Sequence, residues 1–424
     1  MNTKNKVRSL IFVMIVLAVS GMELKAQDWH QWRGSDRSGV SKETGLNLDW
    51  STKKPALSWT FRESGSGYSS PTVVGTTLYC QGATDNKGFA FALDTKTGQL
   101  KWKQELGTET VPDRENCPRG SVTVDGDKLY LIRGIGQIHC LSAADGKVLW
   151  QKDFTSDFNG KYMSRWGYSE SPLIDGNLVI CTPGGADGTL IALDKNTGAM
   201  VWRTTDWTDE AGYSSPIVAD VDGIRQYIQQ SAKGVAGVSA ADGKLLWKVE
   251  VPGYRTAVIP TPIYSDHLVY VTSGYNAGCT CIRLTKEGNG IKSETVYANK
   301  NLVNQHGDVV LMNNYIYGHS DNAGWVCQDL KTGERVWSQR NKDGVDRGSV
   351  MGIGNHLLLV DERLGTVAIA EASAEGWKEV SRMNFPERTK IETVDNMVWT
   401  HPIISNGNLY LRDHDLLFCV DLTK

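Results

Sequence analysis

Short apolar runs alternate residue by residue with polar positions along this chain and are cut at intervals by Gly, Asp and Asn. That period-two pattern predicts β-strands joined by tight turns. Lys128-Leu129-Tyr130-Leu131-Ile132 is typical and is entered through Asp125-Gly126-Asp127; Asp175-Gly176-Asn177 and Asn406-Gly407-Asn408 open equivalent runs. Upstream of the turns stands Ser-Pro-x-Val or a relative of it, at Ser70-Pro71-Thr72-Val73, Ser171-Pro172-Leu173-Ile174, Ser215-Pro216-Ile217-Val218, Thr261-Pro262-Ile263 and His401-Pro402-Ile403-Ile404. Pro is tolerated where a strand begins because no ladder partner is lost there. A third run ends in Ala-Leu-Asp or a variant, and a Thr-Gly or Asp-Gly turn leads into a fourth that ends on Trp.

The third and fourth runs share an eleven-residue signature, small-x-Asp/Ser-x-x-x-Gly-x-x-x-Trp. It occurs at 92–102, 140–150, 192–202, 237–247 and 327–337, so its Trp residues are 48, 52, 45 and then 90 residues apart. The doubled last interval marks a copy whose signature has decayed. A period in the mid-forties with four runs per repeat predicts one four-stranded antiparallel sheet per repeat, the blade of a propeller. First-strand openings fall at Tyr68, Arg119, Ser169, Tyr213, Ile259, His306, Arg347 and Trp399, yet only seven fourth strands follow them. Leu57-Ser58-Trp59-Thr60-Phe61 is an orphan fourth strand, and the chain ends on Phe418-Cys419-Val420-Asp421-Leu422, a third strand with nothing after it. Pairing the two closes a ring with no long free edge. An all-β, eight-bladed propeller over residues 57–424 is therefore expected, with seven blades as the alternative because the 347–400 repeat is degenerate.

The signature resembles the tryptophan-docking repeat of the pyrroloquinoline quinone (PQQ)-like propellers, a superfamily holding quinoprotein alcohol dehydrogenases and the non-catalytic propeller lipoprotein of the outer-membrane protein assembly machine. Residues 28–34 and 39–46 also resemble the leader of a group of exported PQQ-like repeat proteins. The resemblance covers nearly all of residues 57–424 and implies the fold; it leaves function open.

Residues 1–26 carry Lys4, Lys6 and Arg8, an apolar run from Leu10 to Val19 and Leu24-Lys25-Ala26 before Gln27, the pattern of a secretory signal peptide. Its removal takes away four cations and Glu23, moving the formal charge from −3 to −6. The expected product is a periplasmic or secreted, soluble monomer with a leader at 27–56 and no transmembrane segment or lipid-bearing Cys. The acidic balance and the lack of a basic stripe argue against nucleic acid. Of eight cysteines, Cys140, Cys327 and Cys419 occupy the site of Ala92 and Ala192, and Cys80 and Cys181 share a second-strand site; these five read as small core fillers. Cys117, Cys279 and Cys281 fit the repeat less well and stay open to disulfide or redox roles.

Residues just before each Ser-Pro position should line the mouth of a central channel. Tyr68 and Tyr213 keep the plain repeat form. Arg119, Glu170, His306, Asp308, Asp346, Arg347, Trp399 and His401 depart from it, and ionisable groups at equivalent positions around one axis would converge. The competing reading is that these residues bridge neighbouring blades. The docking Trp residues read as packing, and Trp29, Trp32 and Arg33 as fastening the leader to the ring.

Two functions follow. In the first the propeller is an exported binding or scaffold platform for an envelope protein, glycan or small ligand, using the long 107–118 insert and the exposed aromatics of 153–167 (Phe154, Phe158, Tyr162, Trp166) and of 275–278. In the second, implied by the dehydrogenase resemblance, Arg119 and Arg347 hold PQQ carboxylates, Trp399 stacks on the ring, Glu170, His306 and His401 complete the cofactor site, Glu170 and Asn304 ligate Ca²⁺, and Asp308 is the catalytic base. Against the second, those dehydrogenases have adjacent cysteines and this chain has none; the nearest approach is Cys279-Thr280-Cys281. Binding is the preferred reading.

Overall fold

The computed structural model describes residues 27–110, 117–340, 344–392 and 396–423. The signal peptide reading at 1–26 and the middle of the 107–118 insert lie outside the described residues. Eight antiparallel sheets follow one another along the chain and form an eight-bladed propeller, the first seven blades running in chain order from an inner strand outward and the eighth taking its outermost strand from near the N-terminus. The inner strands are Thr72–Val74, Thr123–Asp125, Leu173–Asp175, Ile217–Val221, Ile263–Ser265, Val309–Met312, Gly348–Ile353 and Ile403–Ser405. Five of them start on the residue after a Pro or one position later, as expected of a residue that cannot donate to the ladder. The degenerate repeat is a complete blade, Gly348–Ile353 to Glu379–Asn384, so the count is eight.

The ring closes as the orphan strand requires. Ala56–Phe61 pairs antiparallel with Leu416–Asp421, with Leu57 opposite Val420 and Phe61 opposite Leu417.

The recurring signature has a packing cause. In the first four blades the Gly of the third-to-fourth-strand turn lies against the fourth-strand Trp of the blade before it in the ring, Gly98 on Trp59, Gly146 on Trp102, Gly198 on Trp150 and Gly243 on Trp202. The indole N–H of Trp59, Trp102 and Trp150 donates to the turn carbonyls of Thr95, Ala143 and Lys195. Tyr297 replaces the Trp in the fifth blade and meets Gly333 in the same way. A Cβ on Gly146 would stand 2.6 Å from the Trp102 ring, at φ +74°, while Gly126, at φ +59°, has nothing within 4 Å. Gly146→Ala is therefore expected to cost about 1–3 kcal/mol more than Gly126→Ala, which bears only the left-handed backbone penalty; urea denaturation of the two variants measures the difference.

Cysteine follows the same logic. Cys140, Cys281, Cys327 and Cys419 each lie opposite a second-strand Tyr, at positions 130, 270, 317 and 410. A small side chain leaves room for the ring. All eight cysteines are buried and no disulfide forms among the described residues, Cys117, Cys279 and Cys281 included.

The leader does more than fasten to one blade, because residues 27–43 cross the inner strands and touch every blade in turn. Trp29 exchanges backbone hydrogen bonds with Val73, and His30 O accepts from Val124 N. Arg37 donates to the carbonyls of Ser171, Pro172 and Pro216, and Trp32 Nε1 to Thr261 Oγ1 at 2.9 Å. Arg33 donates to Val309 O and pairs with Asp308 at 2.9 Å. Val40–Ser41 adds a parallel strand to Gly348–Ile353, and Glu43 accepts from Asn406 N and Gly407 N. Inner-strand carbonyls have no partner further in, and two guanidiniums supply the donors they need. The leader thus forms a floor across the channel.

Candidate functional site at the channel mouth

Above that floor lies a cavity of about 670 Å³, and all eight first-strand openings line it: Tyr68, Arg119, Ser169, Tyr213, Ile259, His306, Arg347 and Trp399. Six of them stand four residues before the inner strand, and His306 and Arg347 stand three and one before theirs, so the eightfold repeat carries one side chain per blade to a common axis. Trp32 closes the bottom, its indole edge-on to His401 with centroids 4.8 Å apart. Ser164, Arg165 and Trp166 come from the 153–167 segment, and Tyr275, Gln305 and Met397 complete the rim. The Arg119 guanidinium sits over the Trp166 ring, 5.6 Å from its centroid.

The lining contains three arginines and two histidines and, among the described residues, no Asp or Glu. In a chain of formal charge −3 this segregates positive charge into one concave surface, where low-dielectric walls focus its field.

Behind the wall one carboxylate organises the polar side chains. Glu362, 1% exposed, accepts from Arg347 Nε and, at 3.0 Å, from Trp399 Nε1. Arg347 also donates to Gln305 Oε1 at 3.1 Å. His306 stacks on Trp399 at 4.4 Å and 17°, and His401 Nε2 lies 3.0 Å from His306 O. Burial raises the Glu362 carboxyl, with Arg347 opposing it. Burial, followed by Arg347 and His401, holds His306 down to about 3, and burial also lowers His401. Both imidazoles are therefore neutral near pH 7, and the cavity's charge comes from its arginines.

A second buried histidine allows a test of sign. His139 is 1% exposed, its ring nitrogens have no hydrogen-bond partner among the described residues, and burial, then Arg133, holds it down to about 3. With an ordinary value of 6.5 in the unfolded chain, its contribution is intact above pH 6.5 and is lost as pH falls toward 3; His306 acts the same way. Glu170, raised by burial to about 7, works in the opposite sense and costs stability as pH rises from 4.5 to 7. His139→Leu is expected to shrink the loss in melting temperature between pH 7 and pH 5, measured by calorimetry at both.

Five of the ionisable or aromatic positions read from the sequence, Arg119, His306, Arg347, Trp399 and His401, meet in the cavity. Four others, Asp308, Glu170, Asn304 and Asp346, do not line it. Asp308, 2% exposed at its side chain, lies beneath the floor paired with Arg33 and accepts from Thr261 N at 3.2 Å. The Glu170 carboxylate turns between blades, accepting from Thr182 N and Gln229 Nε2. Asn304 donates to His319 O and shares no neighbour with Glu170. Among the described residues no group of three His, Cys, Asp or Glu is placed to hold a metal ion. Asp346 faces His319 at 3.3 Å. Of the aromatics expected to be exposed, Phe154 and Phe158 are buried in a short helix, Phe154–Phe158, because Asp153 caps its start and turns both rings into the core. Tyr162 packs against the same cluster, while Trp166 and the half-exposed Tyr275 do line the cavity.

Trp32, Arg165 and Glu362 were not singled out as site residues. For Glu362 a signal existed, since Ser320-Asp321, Asp361-Glu362 and Asp413-His414 occupy matching turns after second strands and differ from Gly82-Ala83.

A family model described as outer membrane protein assembly factor BamB matches residues 91–339. A BamB from Yersinia pestis is 28% identical over 229 residues, 50% of this chain and 53% of that protein. A lanthanide-dependent methanol dehydrogenase from Methylacidiphilum fumariolicum is 28% identical over 213 residues, 48% of this chain and 31% of the enzyme. The chain thus spans about half of the first relative and about a third of the second. Among solved structures, BamB from Moraxella catarrhalis aligns with TM-score 0.60 at 18% identity, covering 86% of this chain and 97% of that one. Quinohemoprotein alcohol dehydrogenase from Comamonas testosteroni aligns with TM-score 0.66 at 12% identity, covering 93% and 80%. At such identities the likeness shows the fold, which an assembly factor and a dehydrogenase share.

Proposed function

Because the chain belongs to the PQQ-like propeller family whose model is described as outer membrane protein assembly factor BamB, we propose that it is an exported, non-catalytic binding propeller whose channel-mouth cavity takes an anionic ligand or the anionic group of an envelope component. One observation carries this reading: of the eight equivalent positions six deliver arginine or aromatic side chains (Tyr68, Arg119, Tyr213, His306, Arg347 and Trp399), and none a carboxylate, to one cavity with a closed floor. The leader is removed from competition for that cavity by its own contacts, which lie below Trp32. Among the described residues, no helix is long and apolar enough to cross a membrane. Export rests on the signal peptide pattern at 1–26.

The dehydrogenase relatives make a quinone and its metal the alternative, and the donor set argues against it. Arginines and Trp399 suit a planar polyacid, but the carboxylates that chemistry needs are committed elsewhere, Glu170 between blades and Asp308 to Arg33; Asn304 donates its amide N–H to His319 O and keeps a buried Oδ1 without a partner among the described residues, with neither carboxylate beside it to complete a cation site. No reaction step is assigned to the cavity.

The test uses benzene-1,3,5-tricarboxylate, a planar polyanion, titrated into the mature protein while tryptophan fluorescence is followed. Binding is expected, weakening with added salt and falling tenfold or more in Arg119→Ala and in Arg165→Ala, because charge-assisted hydrogen bonds in a partly desolvated site are lost. Equal affinity in wild type and both variants contradicts the reading.

A further inference from the structure

Resting on that binding reading, we infer that the ligand of the channel-mouth cavity is an acidic carbohydrate, the carboxylated or sulfated end of a glycan chain. Three features of the cavity together point to this class. The first is charge: Arg119 and Arg165 face the space and both histidines are neutral, so selection falls on a fixed anion rather than on a hydroxyl alone. The second is the density of small hydroxyl and amide groups between the arginines. Ser171 Oγ accepts Ser121 N, and Ser215 Oγ accepts Ser171 N at 2.9 Å, which leaves each hydroxyl a proton to donate. Gln305 and Thr256 add further polar groups to the lining. A ligand matching this lining carries many hydroxyls along with its charge. The third is the aromatic wall of Trp166 and Trp399, each with one face already covered, by Arg119 and by His306, and with the rest of its ring lining the cavity among polar groups.

The shape narrows the mode of entry. Trp32 shuts the lower end, so a chain cannot thread the propeller and enters by its terminus. A volume of about 670 Å³ falls in the range of small-molecule sites and has room for a short oligosaccharide. An acidic peptide fits the charge but not the backbone chemistry. A peptide added as a strand needs a free edge, and the inner-strand edges of the first, second and seventh blades already bond the leader at Val73, Val124 and Gly352.

Calorimetric titration and thermal shift of the mature protein with four probes test the inference: tetragalacturonate, a chondroitin sulfate tetrasaccharide, neutral cellotetraose and hexaglutamate. We expect one or both acidic saccharides to bind and raise the melting temperature, with the stronger of the two identifying carboxylate or sulfate as the recognised group. Cellotetraose is expected to give no shift. Arg165→Ala, at an exposed position that leaves the fold intact, should weaken the acidic saccharide about tenfold or more, and Arg165→Lys should recover part of the loss. Equal binding of cellotetraose and tetragalacturonate overturns the inference. Binding of hexaglutamate or benzenetricarboxylate without either acidic saccharide overturns it while leaving the binding reading intact. If no anion binds, both fall together.

Discussion

A chain that begins after Phe61 is expected to lose its single cooperative unfolding transition and to self-associate. The truncation removes the strand that pairs with Leu416–Asp421 and so opens a sheet edge on the eighth blade. It also removes the leader, and with it the donors that satisfy inner-strand carbonyls of Ser171, Pro172, Pro216 and Val309. Trp29, Trp50 and Trp59, all buried in the cluster shared by the first, seventh and eighth blades, leave with it. Urea denaturation followed by tryptophan fluorescence, with size-exclusion chromatography of the folded sample, reads both effects. A monomer with an unchanged midpoint contradicts the closure.

Arg33→Ala is the single substitution with the largest expected effect on stability, about 3–5 kcal/mol, because it strands a buried charge. Arg33 and Asp308 are 3% and 2% exposed at their side chains, and Arg33 also serves the carbonyls of Arg37, Ser38 and Val309. Gly39 lies so close to the guanidinium that an added Cβ would stand 2.8 Å from it, so the packing admits little shift. The double variant Arg33→Ala/Asp308→Ala is expected to recover part of the loss, since it removes the orphaned carboxylate but not the unsatisfied carbonyls. Denaturation midpoints of the two single variants and the double variant give the coupling. A single variant within 1 kcal/mol of wild type contradicts the description of the floor.

The fold was legible because its determinants are local and repeated. Glycine at a left-handed turn, a small residue opposite a Tyr and a Trp at fixed spacing each report one packing contact, and five copies made the period plain. The unpaired strands at the two ends carried the closure. The mouth was legible for the same reason: equivalent positions in a closed ring must converge, and the eight openings do. What the repeat could not encode lies outside it. The course of residues 27–43 across the floor depends on single contacts with all eight blades, none of them periodic, so Trp32 as the cavity's base and Arg33 as the partner of Asp308 had no pattern to announce them. Glu170 illustrates a different limit. It sits between two residues that line the cavity, Ser169 and Ser171, yet the pleat turns its side chain the other way, toward Thr182 and Gln229.

The measurement that bears most directly on binding without catalysis is a titration of the mature protein with PQQ, with and without Ca²⁺, followed by dye-linked oxidation of alcohols and sugars in the same samples. The account predicts that Ca²⁺ leaves the affinity for PQQ unchanged, that Arg119→Ala lowers whatever affinity there is, and that no turnover occurs. Tight Ca²⁺-dependent binding with turnover that Asp308→Asn abolishes would contradict it and make this propeller a quinoprotein dehydrogenase.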